Sequence, residues 1–238
     1  MTQRLARAAC AIASLFALAL PASPQASFSA PARVVKPSGY DPAKAYPLII
    51  LCAPTGNTAE ETYDWEFRGA HEGLRALVLL PAGRFEAKDY LPDFSGFVAR
   101  YEAMLLREIA AAKRAYKIDE GRIGIAGHSL GGDLAWALNA RNPKLFSGIL
   151  VSGSRCSYPV KAADLAVMAE RGFRAAFVMG ARDDAERLKG NTAARAALMA
   201  AGIKLRYVEA PGAAHSDIPR SAMLKNFAWA MGIIRIRE

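Results

Sequence analysis

At 238 residues the chain is long enough for one domain with a sizeable core, and its length does not call for two. Its 53% hydrophobic and 22% charged residues are those of a globular protein and exclude wholesale disorder. The net charge of +9 is spread along the chain with no basic run interleaved with aromatics, which gives a nucleic-acid partner no support and implies only a mild pull toward acidic surfaces.

The first element is a leader. Arg4 and Arg7 precede an apolar stretch from Ala8 to Leu20, and Pro21 and small residues follow. That is the order of regions in a secretory signal peptide, predicted over residues 1–22, with a cut anywhere from 22 to 30 and Ala22 and Ala26 both suitable. The apolar run is short of the ~20 residues that a membrane span takes, so cleavage with no lasting anchor is expected over a retained one. Cys10 sits too early, with no leucine three residues before it, to be a lipoprotein anchor. The expected mature chain, a single domain over 31–238, is secreted or periplasmic. It loses the two charges of Arg4 and Arg7 and keeps Cys52 and Cys156.

Beyond the leader, a short antiparallel piece is expected within Ala30–Val35, ahead of a turn rich in Pro and Gly. Strand-like apolar runs then recur at Leu48–Cys52, Ala76–Leu80, Arg122–Ala126, Gly148–Ser152, Ala175–Met179 and Lys204–Val208. Most lack alternation, as do strands covered on both faces. Helical spacing appears over Phe97–Tyr116, from Asp133, over Glu186–Ala201, and over Pro219–Met231 with Pro219 at the first helical position. Strands alternating with helices predict an α/β fold whose mostly parallel sheet has helices on both faces. The interval Ser154–Arg174 is the only place for a lid, and it is too short for a large one.

One stretch carries chemistry. GIAGHSLGGD places Ser129 among four glycines, after one predicted strand and before a helix. This is Gly-x-Ser-x-Gly in strand–turn–helix context, with a nucleophile at the apex of a strained turn. A Cβ at Gly127 or Gly131 would strike neighbouring backbone, and Gly132 lets the helix lie close to the sheet. The helix start offers backbone N–H groups to developing negative charge.

A serine hydroxyl needs a base. Of three histidines, His128 lies inside the motif and is expected to aim away from the serine. His71 precedes a strand and falls at the N-terminal edge of the sheet. His215 follows a strand through a Pro-Gly loop, which brings it over the C-terminal edge where open α/β sheets bind ligands. The orienting acid is expected between serine and histidine. Asp183 fits, three residues after Gly180, which makes the turn, and the adjacent Asp184 is the alternative. The ordinary reading of such a pair is a solvated helix start.

With Ser129, Asp183 and His215 in that order, the chain resembles an α/β-hydrolase over nearly all of its mature length. PSGYDPAKAYPLIILCAPTG, IDEGRIGIAGHSLGG and VEAPGAAHSD are similar to secreted esterases of the polyhydroxybutyrate-depolymerase, feruloyl-esterase and dienelactone-hydrolase-like groups. The resemblance implies a Ser129–His215–Asp183 triad, an acyl-enzyme, a small-molecule or polymer-borne ester substrate, and no metal or organic cofactor. Those groups carry His-Gly where this chain has Ala53-Pro54. Proline has no N–H to donate, so the second oxyanion donor beside Leu130 falls to Thr55, with Gly56 as the alternative. A peptidase, thioesterase or perhydrolase on the same fold, or a binding module that kept the scaffold, are the competing functions.

Cys52 and Cys156 follow strands expected to flank the nucleophile strand on opposite sides. Two strand spacings separate them by roughly 10 Å, beyond the ~7 Å between Cα atoms that a disulfide spans, so two free thiols are expected.

Overall fold

The structure is a computed structural model that describes residues 32–67 and 74–232. The predicted leader and His71 lie outside the described residues. Within them the chain builds a seven-stranded sheet in the order β1-β3-β2-β4-β5-β6-β7. The strands are β1 (Arg33–Val35), β2 (Tyr46–Cys52), β3 (Leu77–Leu80), β4 (Ile118–His128), β5 (Gly148–Ser152), β6 (Arg174–Gly180) and β7 (Lys204–Ala210). β1 runs antiparallel to β3, and every other neighbouring pair is parallel.

The helices are α1 (Ala59–Thr62), α2 (Ala87–Tyr90), α3 (Phe94–Ala115), α4 (Leu130–Arg141), α5 (Ala162–Glu170), α6 (Ala185–Ala200) and α7 (Arg220–Ala230), with a π-helical turn at Tyr63–Phe67. One face of the sheet is covered by α3 to α6, through Phe97, Leu105, Leu134, Trp136, Met168 and Leu198. The other is covered by α7, α1 and the π turn, through Phe227, Trp229, Ala59 and Tyr63. β2 reads YPLIILC and is buried at every position, because both faces of a central strand meet a helical layer. β7 stays open at the sheet edge, where Lys204, Arg206 and Glu209 discourage pairing with another chain.

Long α3 shows how local chemistry sets an element. The Asp93 side chain caps it by accepting from Gly96 N–H at 2.8 Å. Its apolar positions Phe97, Val98, Tyr101, Leu105 and Ile109 recur at helical spacing and are all buried. Lys113 and Arg114 occupy the last turn, where cations favour the helix dipole.

Three expectations need correction. β4 begins at Ile118, four residues before its predicted start, because Ile118 pairs with Tyr46 beyond a register irregularity that the polar Asp119–Arg122 segment hides. α4 begins at Leu130 rather than Asp133, since close packing on the sheet overrides the poor helix propensity of Gly131 and Gly132. Pro219 takes the cap position, one residue earlier than expected. As its length implied, the interval Ser154–Arg174 forms no large lid. It contains α5, and Tyr158 receives Trp136 Nε1–H on its carbonyl and Arg141 on its hydroxyl, which leads the segment toward the far end of α4.

Topology selects the site. From β2 the chain moves outward to β3, then returns past β2 to β4, so strand order reverses between β2 and β4. Their C-terminal ends, at Cys52 and Gly127, are register partners. A crevice at such a reversal is where open α/β sheets place their ligands.

Candidate active site

β4 carries Ser129 just past its end, with φ 56° and ψ −122°, a region L-residues seldom occupy. Two sets of contacts hold it there. Ser129 N–H donates to Ser152 O at 2.9 Å, and Asp133 N–H donates to Ser129 O at 3.0 Å. The glycines act as expected. A Cβ on Gly127 would overlap the backbone of Gly131, one on Gly131 would overlap Cys52 O, and one on Gly132 would come within 2.9 Å of Ser152 O. The helix, the serine and the end of β2 therefore meet at backbone distance. Such strain is tolerated only where surrounding structure over-determines it.

His215 arrives from the loop after β7. Its Nε2 lies 3.0 Å from Ser129 Oγ, and its Nδ1 lies 3.1 Å from Asp183 Oδ2. The Asp183 side chain is fully buried, and its other oxygen accepts Asp184 N–H at 2.8 Å. Gly180 makes the expected turn, its carbonyl accepting Asp183 N–H at 3.1 Å, and serves the geometry in a second way. A Cβ there would lie 2.5 Å from Ala213 O and 2.7 Å from Ala214 O, so glycine admits the histidine loop against the end of β6. Arg182 N–H to Ala213 O and Ala181 N–H to Ala210 O, at 2.9 and 3.0 Å, stitch the acid and histidine loops together. Asp184 points elsewhere. It caps α6 by accepting Arg187 N–H at 2.9 Å and pairs with the Arg187 guanidinium.

On the opposite side, the end of β2 turns through Ala53 and Pro54. Asn57 N–H closes the turn on Pro54 O at 3.3 Å, with Gly56 at φ +79°. Gly56 N–H is engaged by Phe85 O at 2.9 Å, which leaves Thr55 of the two expected donors. Leu130 N–H opens α4, where no carbonyl of the helix itself can reach it. The segments after β2 and β3 are joined by a bridge between Thr58 and Arg84, and the Arg84 side chain meets Gly56 O and Glu61.

Several residues at or under the site carried no readable signal. Tyr90 OH meets Thr55 Oγ1 at 2.8 Å across 35 positions of sequence. Asp133, buried under the first turn of α4, accepts Ser154 Oγ at 2.6 Å and the N–H groups of Arg155 and Cys156 at 3.0 Å each, pinning the loop after β5. Burial pushes its carboxyl above the usual range against those bonds. His128 turns its Nδ1 to Ser152 Oγ at 3.2 Å rather than to Ser129, and its ring lies tilted against that of His215, a contact the sequence did not announce.

β2 and β5 do flank β4, and Cys52 and Cys156 lie buried as free thiols. Burial pushes both thiols up, Cys52 to about 12, so neither has thiolate character. Among the described residues no group of three or more His, Cys, Asp or Glu gathers as a metal-ligand set. The assembled groups can pass a proton from a hydroxyl to an imidazole whose far nitrogen is held by a buried carboxylate.

No model of a protein family matches the chain, nor does any curated protein. Solved structures do. A ferulic acid esterase from Anaeromyces mucronatus, in complex with ferulic acid, is 14% identical over 86% of each chain, with a TM-score of 0.65. An esterase from Pyrobaculum calidifontis is 18% identical over 84% of this chain and 77% of its own, at 0.60. A putative dipeptidyl aminopeptidase IV from Bacteroides ovatus is 16% identical over 84% of this chain but 33% of its own, at 0.61. At such identities the likeness establishes the fold, which is that of the α/β-hydrolases.

Proposed function

We propose that the protein is a serine hydrolase of carboxylic esters, with Ser129 as nucleophile, His215 as general base and acid, and Asp183 as the orienting carboxylate. The observation that carries this reading is the hydrogen-bonded line Asp183–His215–Ser129, at 3.1 and 3.0 Å, on the C-terminal edge of the sheet. Ser129 Oγ attacks the acyl carbon while its proton passes to His215 Nε2. The carbonyl oxygen takes the negative charge, facing the N–H groups of Leu130 and Thr55. Collapse breaks the bond to the alcohol oxygen, which leaves with the proton from His215. Water then gives a proton to His215, attacks the acyl-enzyme, and frees the acid and Ser129. Asp183 stays ionised throughout and holds Nδ1–H. This route uses only these side chains, backbone donors and water.

The Anaeromyces mucronatus and Pyrobaculum calidifontis structures support a small-molecule or polymer-borne ester as substrate. The peptidase-like neighbour makes amide cleavage the competing reaction. The basic start and the apolar Ala8–Leu20 run support export, to the periplasm or beyond. The test is turnover of p-nitrophenyl acetate against an aminoacyl p-nitroanilide. Ester turnover without anilide turnover is expected, and anilide preference would reassign the protein as a peptidase.

A further inference from the structure

His215 is held at both ring nitrogens, Nδ1 at Asp183 and Nε2 at Ser129 Oγ. Two contacts on one line leave the ring free to turn about that line, which tilts the Nε2 direction off the serine. Catalytic constellations tolerate only ~10–20° of such error. A further constraint on the plane of the His215 ring is therefore needed, and His128 is placed to supply it.

The two imidazoles lie with ring centroids 4.7 Å apart and planes inclined by 31°. At this separation the two tilted rings are in contact, within the ~4.5–7 Å range of attractive aromatic pairs. His128 is itself fixed, since it ends β4 one residue before the serine and its Nδ1 lies 3.2 Å from the hydroxyl of fully buried Ser152. Gly153 is shaped to both rings. It sits at φ +52°, and a Cβ there would fall 2.7 Å from His128 Cε1 and 3.0 Å from His215 Cε1. The charge balance agrees. Burial, then the nearby His215 and Arg187, push His128 down to about 4 against the opposing pull of Asp183, so it stays neutral while its neighbour gains and loses a proton.

We propose that His128 is a positioning residue for His215, its fixed ring holding the plane of the His215 imidazole so that Nε2 stays aimed at Ser129 Oγ. This rests on the reading of His215 as the base. A flat ring is the requirement, and the ability of His128 to titrate is not. His128→Phe keeps a ring over His215, whereas His128→Ala removes it.

The experiment measures kcat and KM of parent, His128→Ala and His128→Phe on p-nitrophenyl acetate, with melting temperatures for all three. Misplacing a reacting group by about 1 Å can cost ~10²-fold, so loss of the constraint on the ring plane alone is expected to lower kcat roughly tenfold in His128→Ala. KM should hold within about twofold, and His128→Phe should recover kcat to within about threefold of the parent. If His128→Ala does not fold, His128→Asn, which keeps a polar group toward Ser152, takes its place with the same expectation. A parent without turnover sinks the reading of the site and this inference with it. A parent that turns over, matched in kcat by the ring-less variant, overturns the inference alone. So does a folded His128→Phe as slow as the ring-less variant.

Discussion

On the β6–β7 side of Ser129, both partner side chains stand close to a strand end: Asp183 is three residues past β6 and His215 five past β7. On the β2–β3 side, Tyr90 of α2 reaches Thr55 and Arg84 reaches Gly56, across 35 and 28 positions of sequence. The first side is fixed by backbone, through adjacent parallel strands, glycine close approach and main-chain hydrogen bonds. The second has main-chain contacts at Gly56–Phe85 and Thr58–Arg84 and is otherwise held by side chains reaching between loops. A site half built each way should respond unevenly to substitution: steeply where reacting groups sit on strand ends, gradually where supporting side chains hold a loop.

The steepest response belongs to the serine. Ser129→Ala should cost turnover roughly 10⁴-fold or more, with the melting temperature unchanged, since in the proposed mechanism its hydroxyl is the nucleophile and contributes little packing. Steady-state rates and a thermal melt on the same preparation check both halves of that statement.

The acid pair divides the strand-end side from its surroundings. Asp183→Asn should lower kcat by roughly 10⁴-fold, because the buried amide presents the wrong partner to His215 Nδ1. Asp184→Asn should keep nearly full activity, because asparagine still caps α6. Reversed effects in the two variants would move the acid to Asp184 and break the strand-end rule.

On the loop side the effect is smaller. Tyr90→Phe removes the partner of the Thr55 hydroxyl while leaving its main-chain N–H in place. A fall in kcat of about threefold to tenfold is expected, well short of the ~10²–10³ that follows loss of an oxyanion donor itself. A hundredfold loss would mean that Tyr90 acts on the substrate directly.

The smallest effect is one of stability. Glu108 on α3 accepts Ala82 N–H with one carboxyl oxygen, and its other oxygen is buried without a hydrogen-bond partner. Burial pushes it up to about 7, against the downward pull of that N–H and of Arg107. Between its ordinary value near 4.5 and 7 the folded chain holds a proton that the unfolded chain has released. Stability therefore falls as pH rises through that window, and the loss is complete above it. Glu108→Gln keeps the acceptor for Ala82 and should flatten this decline, by on the order of 1 kcal/mol after allowance for the solvent-facing part of the group. Melting temperatures at pH 5 and pH 8 for both chains check the sign.

The same contrast decides what the sequence made legible. Ser129, His215 and Asp183 could be read because a strand–turn–helix motif, strand polarity and chain order constrain them together. Gly127, Gly131 and Gly132 could be read because backbone contact leaves no other choice. The turn at Gly180 could be read, but its close approach to Ala213 and Ala214 could not, since that loop is distant in sequence. Tyr90, Arg84 and Glu108 act through side-chain contacts at ranges that no local periodicity encodes. α5 escaped notice because Leu165 and Met168 are its only buried positions, too few to make a pattern. His128 was visible as a residue, but its orientation depends on Ser152 of the neighbouring strand and on Gly153 just past its end, a partnership that exists only once the sheet forms.

The central claim is that Ser129 is a nucleophile activated by His215. The most direct measurement is covalent labelling with a fluorophosphonate, followed by peptide mapping. A single adduct on the peptide containing Ser129 is predicted, formed rapidly by the parent and slowed by orders of magnitude in His215→Ala. No adduct, or one that forms at the same rate without His215, would contradict the account and leave the fold as a scaffold without this chemistry.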